Sequence, residues 1–261
     1  MPLMRSSMSD SAAPELSVSI VSHGHVAEVR NLLSDLRDIV PDSTEILLTL
    51  NSAADAPLAD IALPGRGRVI RNSAPKGFGA NHNAAFGLSR GKYFCVVNPD
   101  IRLPADPFQA LMRAAAQERV GIVAPRVVDS SGAIQTSYRR VPTPALWLRH
   151  ALGSKPDYDY ANPAPAEVDW FAGMFMLFRR EVFESLGGFD ERYFLYYEDV
   201  DICCRARIAG WRVRLEPRAS VIHDARRDSH RNLKFTLWHA QSVLRFWLSA
   251  TYRRTWTLPA K

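Results

Sequence analysis

The chain has 261 residues, of which 47% are hydrophobic and 23% charged, and its formal net charge is +6. These values are typical of a globular protein with one large α/β domain or two small ones, and they argue against disorder outside the ends. No apolar run approaches the roughly 18 residues that a transmembrane helix needs, and no secretory signal is expected. The three cysteines lack metal-type spacing, and we interpret them as buried free thiols of a cytoplasmic protein: Cys95, Cys203 and Cys204.

The first 128 residues alternate between strand and helix patterns. β-Branched and apolar runs predict strands that begin the segments 16–25, 44–51, 68–72, 92–98 and 120–128. Apolar residues at helical spacing predict helices within 26–40, 73–91 and 106–118. This alternation predicts a mainly parallel sheet that is covered by helices.

After residue 128 the pattern changes. Residues 139–170 are rich in Pro, Ala and aromatic residues, which predicts a long mobile excursion, and residues 219–224 predict a last short strand. Residues 232–256 predict an amphipathic helix whose apolar side carries Leu233, Leu237, Val243, Leu244 and Trp247. Basic residues crowd the last third of the chain and favour an anionic partner, which is a phosphate, a membrane surface or a nucleic acid.

Two groups of carboxylates stand next to apolar runs. Asp100 follows a predicted buried strand, and ligands of open α/β sheets bind at the carboxyl ends of strands. Since Asn, Pro and Asp all favour turns, a plain turn is the alternative interpretation of this segment. Glu198, Asp199 and Asp201 follow the aromatic run YFLYY. These acids cap a helix in one interpretation and, if partly desolvated, supply a general base in the other.

His223 ends the last predicted strand and is either a packed side chain or a neutral imidazole ligand of a metal. Together these groups have what sugar transfer from a nucleotide requires. A divalent metal held by Asp100 and His223 would neutralise a diphosphate leaving group. A carboxylate of the second group would take the proton of an incoming hydroxyl.

Six segments, in this order, resemble those of inverting family-2 glycosyltransferases of the bacterial rhamnosyltransferase type. They are SIVSHGH, NSAAD, RNSAPKGFGANHNAAF, YFCVVNPDIRL, the segment from FAGMFMLF to AGWRV, and VIHDARRDSH. The resemblance covers residues 16–250 and implies the GT-A fold, a Rossmann-like, mainly parallel α/β sheet flanked by helices. We expect a disordered N-terminus (1–14), a glycosyltransferase domain (15–225; donor half 15–128, acceptor half 129–225) and a basic amphipathic helical tail (226–261).

The resemblance implies a role for each carboxylate. NPD matches the metal motif of the family, in which Asn98 replaces the usual first acid and Asp100 is the principal ligand. His223 matches a histidine that joins this metal site. Asp199 matches the catalytic base, and Glu198 is implied in acceptor binding or in orienting the base. Residues 170–173 match the wall of the acceptor site.

The resemblance also implies the nucleotide site. Ser22 and His23 would line a uracil or thymine pocket, and Asn81 would bind ribose or phosphate. Gly77 and Gly79 would let the backbone approach the donor, although helix packing explains them equally well. The family usually has an Asp before Asn51, where this chain has Leu50. Asn51 or Asp55 is the expected substitute for reading the base.

The implied activity is metal-dependent transfer of a sugar, L-rhamnose, from dTDP-rhamnose or a UDP-sugar, with Mg²⁺ or Mn²⁺. The expected acceptor is a saccharide on polyprenyl diphosphate, used in cell-surface polysaccharide synthesis. We expect a cytoplasmic protein that can lie on the inner face of the membrane, without nucleic acid as a partner and with a homodimer left open. The alternatives are a sugar nucleotidyltransferase, whose Gly-rich, basic N-terminal loop this chain lacks, and a non-catalytic sugar-nucleotide-binding protein.

Overall fold

A computed structural model describes residues 13–153, 158, 160, 164, 166–223 and 233–258. Most of the N-terminal segment that we predicted to be disordered lies outside these ranges, and so does the start of the predicted tail at residues 226–232. Among the described residues, no helix combines the length and the apolar character that crossing a membrane requires.

Among the described residues, nine strands form one sheet, and two further strands form a separate ribbon. The strands are β1 (Leu16–Ser22), β2 (Glu45–Leu50), β3 (Arg66–Arg71), β4 (Tyr93–Val97), β5 (Ile101–Arg102), β6 (Val120–Val128), β7 (Tyr138–Arg139), β8 (Ala166–Glu167), β9 (Trp170–Phe171), β10 (Phe175–Arg179) and β11 (Arg212–His223). The order in the sheet is β3–β2–β1–β4–β10–β6–β11–β5, with β8 also paired to β11, while β7 and β9 form the ribbon.

The large sheet is mainly parallel, as predicted. Strands β1 to β4 run in the same direction, and β11 runs parallel to β6. The inserted strand β10 is antiparallel to both β4 and β6, which therefore share one direction. Short β5 and β8 pair antiparallel with β11. The carboxyl ends of β1, β2, β4 and β11 consequently lie at one edge of the sheet.

Helices cover both faces of the sheet. They are α1 (Val26–Ile39), a 3-10 helix (Ala53–Leu58), α2 (Phe78–Leu88), α3 (Phe108–Ala115), α4 (Pro144–Ala151), α5 (Arg180–Ser185), α6 (Glu198–Ile208), α7 (Leu233–Leu248) and α8 (Ala250–Thr255). Alternate residues of β4 point to opposite faces. Cys95 and Val97 join the core with α1 and α3, whereas Phe94 and Val96 join the core with α2, α5 and α6.

Three features differ from the sequence-based expectation. The strand predicted at residues 219–224 is only the end of the 12-residue strand β11. The segment 139–170, predicted to be a mobile excursion, contains α4 and short strands among its described residues. The helix predicted at 232–256 is two helices, because the Ser249 side chain accepts a hydrogen bond from the Tyr252 backbone N–H and starts α8.

The predicted apolar side of this tail helix is wrong in part. Leu237 and Leu244 are 54% and 58% exposed, whereas Phe246 is completely buried and Ser242 nearly so. Helix α7 therefore packs on the rest of the protein through a different stripe from the one that residue hydrophobicity selects. All three cysteines are buried free thiols, as predicted.

Candidate active site

The pairing of β5 with the end of β11 brings two distant segments together. In this pairing Ile101 lies opposite His223, so Asp100, immediately before Ile101, is placed beside the histidine. The Oδ2 atom of Asp100 lies 3.3 Å from Nε2 of His223. The sequence-based expectation that these two residues share one site agrees with this geometry.

Gln135 determines which nitrogen of His223 carries the proton. Its Nε2 donates to the His223 backbone carbonyl, which can only accept, so its Oε1 must face the ring nitrogen Nδ1 at 3.0 Å. An amide oxygen accepts, so Nδ1 carries the hydrogen, and Nε2 of the neutral imidazole has a free lone pair. This lone pair faces a carboxylate oxygen of Asp100, and two facing acceptors need a proton or a cation between them.

The electrostatics of Asp100 favour a bound cation. Burial opposes the charged form of the carboxyl, but when His223 also carries a proton on Nε2, its hydrogen bond and charge outweigh burial and lower the pKa of Asp100. The positive charge of His25, at the end of the β1–α1 loop, contributes in the same direction. The second oxygen of Asp100, Oδ1, is buried without a hydrogen-bond partner. A buried carboxylate oxygen without a partner is a position where a cation or a water molecule can bind.

The ligand set matches a metal that binds mainly to a substrate. Within the described ranges, nowhere do three or more His, Cys, Asp or Glu side chains surround a common point. Asp100 and His223 would supply two protein ligands. Mg²⁺ is usually held by one or two carboxylates and completed by water and substrate phosphates, and carboxylate and imidazole also accommodate Mn²⁺. The residues present therefore fit a divalent ion that a diphosphate would complete.

Asp199 lies at the same edge of the sheet, at the start of α6. Its Oδ2 accepts a hydrogen bond of 2.8 Å from the Gly173 backbone N–H. The next residue, Met174, accepts a backbone hydrogen bond of 2.9 Å from Asn98, two residues before Asp100. A short chain of backbone bonds thus connects the acid of α6 with the segment that carries Asp100.

The turn before α6 has unusual backbone geometry. Tyr196 and Tyr197 have φ angles of 71° and 70°, which only a few per cent of non-glycine residues adopt. Tyr197 is the N-cap of α6, and the turn directs Glu198 and Asp199 toward the sheet edge. A strained pair of this kind persists only where surrounding packing enforces it, and such pairs cluster at functional sites.

The pKa values of the two neighbouring acids are both raised. Burial raises the pKa of Asp199 to about 6, against the opposing hydrogen bonds from Val200 and Gly173 and the charge of Arg139. Burial and the adjacent Asp199 charge raise the pKa of Glu198 well above its usual range, and its Oε2 has no partner. A pKa of about 6 leaves Asp199 mainly ionised at pH 7, which is the state that a general base needs.

Asp201, the third acid of this group, has a structural position. Its carboxylate lies 2.6 Å from Nε of Arg205, one turn along α6, and is almost completely buried. Arg205 also donates to the backbone carbonyls of Leu186 and Gly188. The pair fastens α6 to the preceding loop.

Asp55 holds the end of β1 against the end of β2. Its carboxylate is fully buried and accepts hydrogen bonds from the backbone N–H groups of Gly24, Asn51 and Ser52 and from the Ser22 hydroxyl. Both oxygens are used within the protein. Ser22 is likewise buried with its hydroxyl committed to Asp55, whereas His23 is exposed.

Asn51, the other proposed substitute for the missing Asp, is also occupied. Its amide donates to the Lys76 carbonyl at 3.0 Å and accepts from the Lys76 N–H at 2.8 Å. Asn72 bridges Asn51 and Asn81, and Asn81 donates to the carbonyls of Lys76 and Gly77. These amides fix the loop that leads into α2. As placed, neither Asn51 nor Asp55 offers a free polar atom for reading a nucleobase.

The packing explanation of the two glycines has direct support. A Cβ atom on Gly77 would lie 2.7 Å from the Phe194 carbonyl oxygen, and one on Gly79 would lie 2.7 Å from Cβ of Phe189. The start of α2 thus approaches the loop before α6 more closely than any side chain permits. Since this loop leads into the turn before Glu198 and Asp199, the glycines position these acids through packing.

Sequence reasoning did not identify Gln135 or His25 as site residues. Gln135 lies in an irregular segment after a short bridge between Val128 and Ile134, far in sequence from both carboxylates. No local motif indicates it, because its contacts depend on a histidine 88 residues away. His25 has a weak signal, since it follows His23 in the loop after the first predicted strand.

A family model described as glycosyl transferase family 2 matches residues 17–187, which is more than half of the chain. The chain belongs to glycosyl transferase family 2. The matched range contains Asp100 and Gly173 but ends before α6, so Asp199 and His223 lie beyond it. The roles of the individual residues consequently rest on the geometry described above.

The glycosyltransferase is similar to named members of the family. It is 29% identical over 231 residues to N-acetylglucosaminyl-diphospho-decaprenol L-rhamnosyltransferase of Mycobacterium tuberculosis, covering 80% of this chain and 75% of the relative. It is 28% identical over 247 residues to rhamnosyltransferase WbbL of Escherichia coli, covering 88% of this chain and 91% of that protein.

The fold of the glycosyltransferase is GT-A. A mannosyltransferase from Pyrobaculum calidifontis, solved in complex with GDP-Man and Mn²⁺, superposes with a TM-score of 0.61 at 18% identity. The match covers 90% of this chain and 65% of that structure. The mixed sheet with helices on both faces agrees with the expected fold class.

Proposed function

We propose that this glycosyltransferase transfers L-rhamnose from dTDP-rhamnose or a UDP-sugar to a saccharide carried on polyprenyl diphosphate, with inversion at the anomeric carbon. Support for the sugar and the carrier comes from the two relatives, one a rhamnosyltransferase of a diphospho-decaprenol acceptor and the other rhamnosyltransferase WbbL. The product would serve cell-surface polysaccharide synthesis.

The observation that carries the mechanism is the position of Asp199, whose Oδ2 accepts a hydrogen bond from Gly173, next to the residue that Asn98 of the Asp100 segment binds. Asp199, with a pKa of about 6, is ionised at neutral pH and takes the proton of the acceptor hydroxyl. The hydroxyl oxygen attacks the anomeric carbon from the face opposite the diphosphate. The bond to the diphosphate breaks with its electron pair, so the configuration inverts. Burial and the Asp199 charge raise the pKa of Glu198, and in its protonated form this neighbour would donate a hydrogen bond to the acceptor.

Asp100 and His223 would hold the divalent cation, Mg²⁺ or Mn²⁺, with Gln135 fixing the histidine tautomer as an outer partner. When bound, this cation stabilises the charge that develops on the departing diphosphate. Asn98 leaves one carboxylate in this motif rather than two. The backbone N–H of Asn98 donates a hydrogen bond to the carbonyl of Met174. Gly173, the residue before Met174, donates its backbone N–H to Asp199, the proposed base.

The nucleotide would lie over the ends of β1 and β2, where His23 is exposed and Ser22, Asn51 and Asn81 shape the loops. Because Asp55 and Asn51 are committed to protein partners, we propose that the base is recognised through His23 and backbone groups. Such a pocket has few side-chain donors with which to distinguish thymine from uracil. We therefore expect both dTDP- and UDP-linked donors to bind.

The test is transfer by the purified enzyme with candidate donors, Mn²⁺ and a short-chain lipid-diphosphate saccharide. The readouts are release of free nucleoside diphosphate and the anomeric configuration of the product by NMR. Asp100→Ala and Asp199→Asn should each lower turnover by about 10²–10⁴-fold, whereas the exposed Asp60→Asn should not. Release of pyrophosphate would indicate a nucleotidyltransferase, and a retained anomeric configuration would overturn the mechanism.

A further inference from the structure

Helix α7 has two faces with different environments. Its inner face packs on the enzyme: Phe246 is fully buried against Tyr197 and Tyr252, and the Ser242 hydroxyl donates to the Leu195 carbonyl at 2.9 Å. Trp247 donates its indole N–H to the Pro142 carbonyl. These contacts hold the helix firmly, so its orientation on the enzyme is defined.

The outer face of α7 is a row of exposed leucines. Leu237, Leu244 and Leu248 are 54%, 58% and 71% exposed. Spacings of seven and four residues place all three on one side of a helix, opposite Phe246. We call these three residues the leucine stripe. A contiguous apolar row in water is unfavourable and marks an interaction surface.

The segment that carries this stripe is basic. Residues 233–258 contain four basic residues, Lys or Arg, and no Asp or Glu: Lys234, Arg245, Arg253 and Arg254. The three arginines are exposed. An exposed apolar helix face within a basic segment is the pattern of a helix that lies in the interface of an anionic bilayer.

A second exposed apolar group lies beside the end of α8. Trp256 is 70% exposed, and it lines a cavity of about 360 Å³ together with Leu146 and Arg149 of α4. Leu148 and Leu152, on or just after α4, are also exposed. Trp and Arg are enriched where proteins meet the headgroup region of a membrane.

The inner face of α7 contacts the segment that carries the catalytic acids. Tyr197, which packs on Phe246, immediately precedes Glu198 and Asp199. A helix with its side chains is about 10 Å across. The leucine stripe is therefore separated from the catalytic turn by one helix thickness. A surface bound to the stripe would lie next to the acceptor side of the active site.

We propose that the leucine stripe and the arginines of the same segment form the surface by which the enzyme lies on an anionic lipid bilayer. This inference rests on the proposed function, because a polyprenyl-diphosphate acceptor has its sugar at the same bilayer surface. Docking through α7 holds Asp199 near that surface. Charge complementarity selects the bilayer as the occupant, since a second copy of this chain would bring the same cations face to face.

The experiment measures co-sedimentation of the full chain with vesicles of phosphatidylcholine, with and without added phosphatidylglycerol. We expect binding to the anionic vesicles that weakens as salt increases. Each basic residue near an anionic surface is worth about fivefold in partitioning, so R253Q/R254Q should lower binding by about 25-fold. The charge-matched control R66Q/R68Q changes two exposed arginines of β3 and should bind as the wild type does.

L244S/L248S should lower vesicle binding by at least about tenfold, because each immersed leucine contributes to partitioning. The same variant should keep wild-type transfer to the water-soluble short-chain acceptor and lose transfer to an acceptor embedded in vesicles. Two results overturn the proposal: vesicle binding that neither variant reduces, and a solution dimer that L244S/L248S dissociates. Loss of transfer from every donor with intact vesicle binding would refute the proposed function instead.

Discussion

Replacing the proposed base, Asp199→Asn, should remove activity and make the protein more stable. Burial raises the pKa of Asp199 from 3.8 to about 6. A difference of about 2 units corresponds to about 3 kcal/mol by which the ionised carboxylate weakens the folded state at pH 7. Asparagine carries no charge and can still accept the hydrogen bond from Gly173. It loses the bond from the Val200 N–H, which costs about 1 kcal/mol. The expected net gain is about 2 kcal/mol.

The pH dependence of stability follows from the same shift. The folded protein binds the Asp199 proton more tightly than the unfolded chain does, because its folded pKa is the higher one. The contribution of Asp199 to the free energy of unfolding of the wild type should therefore fall as pH rises from about 4 to about 6. In the asparagine variant this contribution is absent. Urea unfolding of both proteins at pH 4.5 and pH 7 measures how the free energy of unfolding of each protein changes with pH.

The pH dependence of turnover has the opposite direction. Transfer requires ionised Asp199, so kcat/KM should fall about tenfold per pH unit below a pKa of about 6. Release of nucleoside diphosphate at saturating metal measures it. The reasoning is refuted if the asparagine variant turns over like the wild type. It is equally refuted if the variant is inactive and also less stable, because the loss would then be structural.

Two further predictions concern residues that position the site. Gln135→Leu removes the acceptor that fixes the His223 tautomer and should weaken the apparent affinity for Mn²⁺ by about 10–100-fold. This affinity is measured from turnover at increasing Mn²⁺ concentrations. An unchanged dependence on Mn²⁺ would contradict the assigned tautomer. Gly77→Ala places a Cβ atom against the Phe194 backbone and should lower the free energy of unfolding, measured with urea, by about 1–3 kcal/mol. A Cβ atom on Gly87, inside α2, would meet nothing within 4 Å. Gly87→Ala should therefore raise the free energy of unfolding by about 0.5–1 kcal/mol. Equal effects of the two substitutions would refute the packing role of Gly77.

Local patterns identified most of the regular structure and the site carboxylates. The run YFCVV at 93–97 is buried on both faces of the sheet, and such strands read as continuous apolar stretches. Asp100 directly after this run was recognisable because a carboxylate has no packing role there. Asp199 was recognisable from its position between an aromatic run and a helix. In both cases the signal lies within a few residues.

The contacts of these residues are set by long-range pairing, and the sequence analysis anticipated the grouping of Asp100 with His223 but not the contact of Gln135 with the histidine. That Asp100 faces His223 depends on the register of β5 against β11. That Gln135 orients the histidine depends on the same sheet edge. Asp55 illustrates the reverse error, since it was expected to read the nucleobase and instead closes the β1 loop with four hydrogen bonds.

The chain's own order of residues determined the alternation of strands and helices, the family segments and the two acids, because each is written in neighbouring positions. Tertiary structure alone decided which face of α7 is covered. Hydrophobicity selects Leu237 and Leu244 for burial, yet the surface available beside Tyr197 accommodates Ser242 and Phe246. The physical reason is that burial depends on the shape and hydrogen bonding of the partner surface, which no helical pattern contains.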